Sequence, residues 1–274
     1  MKTVAVLIGT ISILYVLVAL LLYLFQNNLV FLPSSNIVQS PDSVGLIYDD
    51  IFVQSTDGNK IHGWWVEQNE PLNAITILIC HGNAGNISGR IFLMEMFYKA
   101  GYNVMLFDYQ GYGRSEGRPS EQAIYDDGLA MWDFLINEKG VHPQNLIPLG
   151  RSMGGAVALK IAEKRNPSAI ILLSTFTTVP DVASRVYPIF PVRRLARIQM
   201  DNLARISNFM NPVFIAHSPN DELIPFDMKQ RLTESSGGET TLYRLSGGHN
   251  DTASLTNPNF MEAVDRFIEG VVYK

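Results

Sequence analysis

The N-terminus of the chain carries an apolar run that constrains where the protein can reside. Between Val4 and Phe25 there are 22 residues without a charge, and only Gly9, Thr10 and Ser12 in this run are not apolar. A bilayer core of about 30 Å needs about 20 apolar residues at helical rise, and a helix satisfies its own backbone polar groups in lipid. The run therefore predicts one N-terminal transmembrane helix.

A cleaved signal peptide is the competing interpretation, because Lys2 supplies a positive end. Signal peptides usually have an apolar region of about 7–15 residues, and no cleavage pattern of small residues follows Phe25. Since Lys60 is the next basic residue after Lys2, the positive-inside rule places the N-terminus in the cytoplasm. We therefore expect a membrane anchor at residues 1–28 and a domain at 29–274 that is extracytoplasmic, or periplasmic in a bacterium.

The charge and cysteine content exclude several classes of protein. The chain has 21 Lys and Arg against 26 Asp and Glu, a net charge of −5, which fits neither a nucleic-acid-binding protein nor a disordered one. Cys80 is the single cysteine, so no internal disulfide can form. The sequence contains no metal-ligand cluster and no cofactor motif, so we expect neither a metal nor a cofactor. It does not indicate an oligomeric state.

Beyond residue 43, strand-like and helix-like segments alternate. The strand candidates are Gly45–Val53, Ile61–Glu67, Ala74–Cys80, Asn103–Asp108, Asn145–Leu149, Ala169–Ser174, Pro212–Ala216 and Thr240–Leu245. Several are continuous apolar runs, which is typical of strands covered on both faces. The first two resemble an antiparallel hairpin. The alternation predicts an α/β fold with a mostly parallel, eight-stranded sheet and helices on both faces.

Two segments between the strands are informative. Ser120 precedes a segment in which Ile124, Gly128, Met131 and Leu135 share one helical face, so a helix capped by Ser120 is expected. In contrast, residues 175–210 contain three prolines and no obvious strand. The length of this segment predicts a short cap over the sheet, at about residues 176–210.

A Gly-x-Ser-x-Gly motif occurs twice, around Ser152 and around Ser115. In a nucleophile elbow this motif joins a strand to a helix, so that the serine stands on a sharp turn. Ser152 has this context, because a strand candidate ends at Leu149 and helix-compatible residues follow Gly155. Ser115 lacks it, since its strand ends near Asp108. We interpret Ser152 as a nucleophile and Ser115 as part of a structural loop.

A serine nucleophile needs a base and an acid that orients the base. Of the five histidines, His249 follows the last strand candidate, at the same sheet edge as Ser152, and is the expected base. Asp221 follows the preceding strand and is the expected acid. The adjacent Glu222 is interpreted as a solvated or locally salt-bridged carboxylate. The order Ser152, Asp221, His249 is that of α/β-hydrolases.

The oxyanion of an acyl-transfer intermediate needs two hydrogen-bond donors. We expect the backbone N–H groups of Met153, which follows the nucleophile, and of Asn83, in the glycine-containing stretch His81–Asn86. A phosphate-binding turn is the alternative for this stretch. It lacks the Gly-x-Gly-x-x-Gly spacing and the downstream acidic residue that such turns have.

Five motifs together resemble the α/β-hydrolase superfamily. They are His-Gly-Asn-Ala-Gly-Asn (81–86), Phe-Asp-Tyr-Gln-Gly-Tyr-Gly-Arg-Ser-Glu-Gly (107–117), Gly-Arg-Ser-Met-Gly-Gly (150–155), Asp-Glu-Leu-Ile-Pro (221–225) and Gly-Gly-His-Asn-Asp (247–251). More narrowly, they are similar to a membrane-anchored subfamily that includes the fungal bud-emergence protein and animal serine hydrolases, some of them protein depalmitoylases. The resemblance implies the same triad, oxyanion loop and anchor. Ser218 departs from the glycine often found there.

These features predict a membrane-anchored serine hydrolase of esters or thioesters, with acyl-chain substrates that include lipid-like molecules and acylated proteins. Two alternatives stay open. One is an aminopeptidase-like hydrolase on the same fold, which would need acidic side chains to bind a substrate amine. The other is a catalytically silent anchored scaffold that keeps the fold without its chemistry.

Overall fold

The computed structural model describes residues 2–69 and 74–272. The first residue of the predicted anchor, 1, and the last residue of the predicted domain, 274, lie outside the described part. The main sheet has eight strands, numbered here in chain order. They are β1 (Asp49–Gln54), β2 (Lys60–Val66), β3 (Thr76–Cys80), β4 (Asn103–Phe107), β5 (Leu146–Arg151), β6 (Ile170–Leu173), β7 (Val213–His217) and β8 (Thr240–Arg244).

The strand order across the sheet is β1-β2-β4-β3-β5-β6-β7-β8. Only β2 runs antiparallel to its neighbours, β1 and β4, and the other pairs are parallel. In the centre of the sheet Cys80 of β3 pairs with Gly150 of β5, and Leu149 pairs with Ile171 of β6. The predicted eight-stranded, mostly parallel sheet is confirmed. Because its central strands are parallel, the loops after β3, β5, β7 and β8 meet at one edge.

Ten α-helices accompany the sheet in the part of the chain that the structure describes. They are α1 (Lys2–Leu24), α2 (Gln26–Val30), α3 (Ile91–Lys99), α4 (Glu121–Asn137), α5 (Gly154–Arg165), α6 (Val179–Val186), α7 (Val192–Leu195), α8 (Asn202–Ser207), α9 (Phe226–Ser235) and α10 (Pro258–Val272). Helices α3 and α10 pack on one face of the sheet, against Ile77 and Ile79 of β3. Helices α4 and α5 pack on the other, against Leu78 and Cys80. Alternate side chains of a strand point to opposite faces, so β3 is buried on both.

Helix α4 forms as its sequence predicts. The Ser120 hydroxyl accepts the Ala123 N–H at 3.1 Å, which caps the helix, and Ile124, Met131 and Leu135 are buried. Gly128 lies where α4 meets α5, because a Cβ there would approach Val157 Cγ1 to 2.5 Å. The absence of a side chain at position 128 therefore allows α4 and α5 to pack closely.

The structure differs from the prediction near the start of the domain. The first strand begins at Asp49 and not at Gly45, because a 3₁₀ turn over Pro41–Val44 ends at Gly45 with φ 77°. The left-handed conformation of Gly45 ends the turn, so the extended strand begins only after it. A further two-stranded parallel sheet, in which Leu32 and Pro33 pair with Ala84 and Gly85, was not predicted.

The N-terminal run and the cap are both helical. Helix α1 is long and apolar enough to cross a membrane by length and composition, and the predicted limit between residues 28 and 29 falls inside α2. Residues 176–210 contain the short helices α6, α7 and α8, and no strand is found in this fully described segment. We call residues 176–210 the cap, and several of its side chains line a cavity together with Ser152 and His249.

Candidate active site

Ser152 stands on a sharp turn between β5 and α5. Its φ of 53° lies in the left-handed region, which is uncommon for a residue other than glycine. Gly150 and Gly154 leave room for the turn, since added Cβ atoms would lie 2.4 Å from the Gly154 oxygen and 1.9 Å from the Cys80 oxygen. This strand–turn–helix arrangement is that of a nucleophile elbow.

The structure brings Ser152, His249 and Asp221 together in one chain of hydrogen bonds. His249 Nε2 lies 3.0 Å from Ser152 Oγ, and His249 Nδ1 lies 2.8 Å from Asp221 Oδ2. The three residues follow β5, β8 and β7, and all are buried to at least nine-tenths. The arrangement allows His249 to take a proton from Ser152 while Asp221 orients the imidazole ring.

Asp221 is held as a carboxylate. Its second oxygen, Oδ1, accepts the backbone N–H groups of Leu223 at 3.0 Å and Ile224 at 2.7 Å. Burial acts to raise the pKa of Asp221, but the hydrogen bonds from His249 and from the Ile224 N–H outweigh it and hold the pKa below its usual value. The negative charge can therefore stabilise a protonated His249.

Two residues, whose contacts with His249 the sequence did not predict, hold the backbone of that histidine. Glu222 is expected to be solvated or locally salt-bridged; it is exposed in the structure, and its Oε2 accepts the His249 N–H at 2.9 Å. On the other side, Arg151 donates to the His249 carbonyl oxygen at 3.0 Å. Burial and the nearby Arg90 lower the pKa of Arg151 to about 10. Arg151 lies inside the Gly-x-Ser-x-Gly motif, between Gly150 and Ser152, and this position is the sequence feature that could have indicated a role in the site.

Asn83 and Met153, whose backbone amides are expected to bind an oxyanion, line the same cavity as Ser152. Within residues 2–69 and 74–272, neither the Asn83 N–H nor the Met153 N–H donates a hydrogen bond. Residues outside the loop hold Asn83 in place, because the Asn83 carbonyl oxygen accepts the Leu32 N–H at 3.0 Å and the Tyr112 hydroxyl at 2.7 Å. Neither amide is therefore engaged by another described part of the chain.

The other candidates for catalysis are engaged elsewhere. The Ser115 hydroxyl donates to the Asp108 carbonyl oxygen and accepts the His62 N–H, so it fastens a loop. His217 lies 2.8 Å from the Ile224 oxygen, through Nε2, and 3.5 Å from Asp221 Oδ2, so it packs beside the acid. His81 is buried, and burial together with Arg90 lowers its pKa to about 3.

A cavity of about 490 Å³ opens above Ser152. Its walls are mostly aliphatic and come from the cap, through Val179, Val182 and Ala183, and from the N-terminal helices, through Leu22, Leu29 and Val30. Arg90 and Arg151 are the charged side chains among the described residues that line it. No group of three or more potential metal ligands occurs in the described part of the chain. The cavity suits an apolar group whose carbonyl carbon reaches Ser152.

The sequence is similar to those of several known proteins. Residues 73–197 match the family described as serine aminopeptidase, S33. The chain is 33% identical over 244 residues to an uncharacterized protein of Mycobacterium tuberculosis, with 89% of this chain and 87% of the relative covered. It is also 33% identical to the alpha/beta hydrolase domain-containing protein WAV2 of Arabidopsis thaliana, with 85% and 83% covered. An uncharacterized membrane protein of Saccharomyces cerevisiae is 31% identical, with 84% and 85% covered.

Solved structures share the fold at low sequence identity. An esterase of Pyrococcus furiosus has a TM-score of 0.72 and 19% identity, with 89% of this chain and 98% of the esterase covered. Est1E of Butyrivibrio proteoclasticus, solved with ferulic acid, has a TM-score of 0.69 and 21% identity, with 82% and 100% covered. These likenesses extend over most of the chain and concern its fold.

Proposed function

Because the chain belongs to the α/β-hydrolase superfamily, we propose that it is a serine hydrolase that cleaves carboxylic esters or thioesters. The observation that carries the proposal is the hydrogen-bond chain from Ser152 through His249 to Asp221 at the floor of an aliphatic cavity. Fold alone does not imply an activity, but this set of side chains has one well-defined chemistry.

In the proposed reaction His249 removes the proton of Ser152 as Oγ attacks the substrate carbonyl carbon. The backbone N–H groups of Asn83 and Met153 stabilise the oxyanion that forms. His249 then returns the proton to the leaving oxygen or sulfur, which leaves an acyl group on Ser152. A water molecule, deprotonated by His249, attacks this acyl-enzyme, and the carboxylic acid departs with Ser152 restored.

The cavity supports acyl-chain substrates, either lipid-like small molecules or acylated proteins. The family description raises an aminopeptidase as the second candidate. A substrate amine would need a carboxylate partner, whereas the charged side chains among the described lining residues are the guanidinium groups of Arg90 and Arg151. This charge disfavours an ammonium group and supports an ester or thioester over an aminoacyl amide.

We also propose that α1 is a membrane anchor that remains on the protein. Its length supports this proposal, as does the similarity to a yeast protein named as a membrane protein. With Lys2 before the span, the N-terminus is cytoplasmic and the hydrolase domain extracytoplasmic. Protease protection of the domain in sealed vesicles tests this topology, and a shorter mature chain would show that α1 is a signal peptide.

The activity is tested on the full-length protein with a fluorophosphonate probe, which labels activated serines. Labelling is expected for the wild type and for the control Ser115→Ala, and it should disappear in Ser152→Ala. Turnover of acyl esters, acyl thioesters and aminoacyl amides then identifies the bond. Labelling that persists in Ser152→Ala would overturn the assignment, and a folded wild type with neither labelling nor turnover would be a scaffold.

A further inference from the structure

Helix α1 and the cap contact each other well before α1 ends. The Tyr15 ring stacks on Phe190, with ring centroids 4.9 Å apart and planes inclined by 14°. The Tyr15 hydroxyl also donates to the Ile189 carbonyl oxygen at 2.8 Å. Because Tyr15 and Ile189 are 174 residues apart in sequence, this contact fixes how the cap lies along the helix.

A second set of contacts joins the C-terminal end of α1 to the cap. Arg197 donates to the carbonyl oxygens of Tyr23 at 3.0 Å and Leu24 at 3.3 Å, which have no partner inside the helix. Gln26 donates to the Leu195 oxygen and accepts the Arg197 N–H, both at 2.7 Å. The cap therefore follows α1 from Tyr15 to its end, about 13 Å at the rise of an α-helix.

This arrangement limits where a bilayer can lie. Lys2 is charged, and the uncharged residues of α1 that precede the contacts with the cap, residues 3–14, form only about 18 Å of helix. The hydrocarbon core of a bilayer is about 30 Å thick. A membrane spanned by α1 must therefore include part of the segment from Tyr15 to Leu24, to which the cap is bound. The portion of the cap beside Tyr15 then lies below the membrane surface.

The composition of that portion fits such a location. Residues Val186–Pro191, here named the cap tip, contain no charged residue. Val186 and Ile189 expose 53% and 72% of their surface, a poor arrangement in water but a suitable one in lipid. Exposed arginines flank the tip at positions 185, 193 and 194, where they can reach the headgroups.

The active-site cavity opens on the same side. Leu22 of α1, Leu29 of α2 and Val186 and Tyr187 of the cap tip all line it together with Ser152. Among these, Leu29 is 44% exposed and Val186 is 53% exposed, so they mark an open part of the wall. An acyl chain in the adjacent lipid would meet the cavity here without crossing water.

We propose that the cap tip is inserted in the bilayer beside α1 and that the cavity receives its acyl chain laterally from the lipid. This inference rests on the proposed function, both for the anchoring by α1 and for the role of Ser152. It assigns the cap tip as a membrane-binding surface and makes α1 a wall of the substrate site in addition to a tether. The substrate is accordingly an acyl group that resides in a membrane.

Insertion is tested with an environment-sensitive nitrobenzoxadiazole label on single cysteines in the full-length protein, reconstituted in phosphatidylcholine–phosphatidylglycerol vesicles. Leu14→Cys reports α1, Ile189→Cys reports the cap tip, and Ile47→Cys is the matched control, since Ile47 is 93% exposed on the domain. Cys80 is buried, and burial raises the pKa of its thiol, so it contributes no label. Lipids with a doxyl quencher in their acyl chains should quench positions 14 and 189 severalfold more than position 47.

The outcomes separate the two proposals. If position 14 is quenched but position 189 is quenched no more than position 47, insertion of the cap tip is overturned and the anchor stands. Absence of quenching at position 14 would overturn the anchor itself and this inference with it. In either case labelling of Ser152 by the fluorophosphonate tests the hydrolase independently.

Lateral delivery is tested by the charge variant Ile189→Asp against the control Ile47→Asp. Turnover of a long-chain ester dissolved in vesicles should fall at least tenfold in Ile189→Asp alone, because a carboxylate resists insertion in lipid. Hydrolysis of a water-soluble butyrate ester should be unchanged in both variants, which shows that they fold. Equal turnover of the vesicle-borne ester by both variants would overturn lateral delivery.

Discussion

The carboxylate of Glu222 accepts a hydrogen bond from the backbone N–H of His249, over an Oε2–N distance of 2.9 Å. The adjacent acid Asp221 binds the imidazole ring of the same histidine at 2.8 Å. Gly248 permits this arrangement, because a Cβ there would lie 2.5 Å from Glu222 Oε2. Two consecutive carboxylates thus hold one histidine, one by its ring and the other by its backbone.

We expect Glu222→Ala to lower kcat by about tenfold, since a loosened His249 spends less time aligned with Ser152. Glu222→Gln, whose amide oxygen can still accept the N–H, should recover most of the rate. The measurement is kcat and KM for a soluble ester, with KM expected to change little. A rate in Glu222→Gln as low as in Glu222→Ala would contradict the hydrogen-bond explanation.

The elbow depends on a glycine at position 154. A Cβ there would lie 1.9 Å from the Cys80 carbonyl oxygen, so Gly154→Ala must displace β3 or α5. We expect it to destabilise the fold by several kcal/mol, as overpacking of a buried backbone contact does. Gly270→Ala is the control, because nothing lies within 4 Å of its added Cβ. Thermal unfolding midpoints compare the two, and similar values would refute the steric argument.

The cavity volume should set the chain length of the acyl group. Ala183 of α6 lines the cavity, and Ala183→Trp would fill a substantial part of its 490 Å³. We expect kcat/KM for a dodecanoyl ester to fall at least tenfold while that for a butyryl ester stays within about twofold. Met210→Trp, at an exposed position of the cap that does not line the cavity, serves as the control. An equal loss for both esters would indicate a damaged site and not a shortened one.

Asp108 makes the stability depend on pH. Burial raises the pKa of Asp108 to about 8, although the Ile87 N–H and Arg90 act to lower it. A carboxyl whose pKa is raised by folding contributes its stabilisation in full below about pH 4, the value in the unfolded chain, and this contribution is lost as pH rises through about 8. The free energy of unfolding should therefore decrease from pH 5 to pH 8.5.

The variant Asp108→Asn isolates this effect, because its side-chain amide does not titrate but still offers an oxygen to the Ile87 N–H. In the wild type this N–H donates to Asp108 Oδ1 at 2.9 Å. The decrease in unfolding free energy between pH 5 and pH 8.5 should be smaller in Asp108→Asn by an amount on the order of a few kcal/mol. Urea unfolding at both pH values measures it. Parallel pH profiles for the wild type and the variant would show that Asp108 does not titrate in this range.

The sequence was sufficient for the sheet and for the candidate triad because both depend on local patterns. Apolar runs between turn residues mark the strands, and the carboxyl ends of parallel strands meet at one edge, where Ser152, Asp221 and His249 are expected. Helix α4 could be predicted for the same reason, since its cap Ser120 and its regularly spaced apolar residues lie in one continuous segment of the sequence. In the structure all three triad residues converge as the strand order implies.

Only the tertiary structure decided what surrounds that site. The hydrogen bond of Arg151 to His249 joins residues 98 positions apart, and the contact of Tyr15 with Ile189 joins residues 174 apart. Such contacts leave no periodic signal in the sequence, because they depend on how separate elements pack after the chain has folded. The sequence therefore indicated an α/β domain and an apolar helix, and packing alone made that helix a wall of the cavity above Ser152.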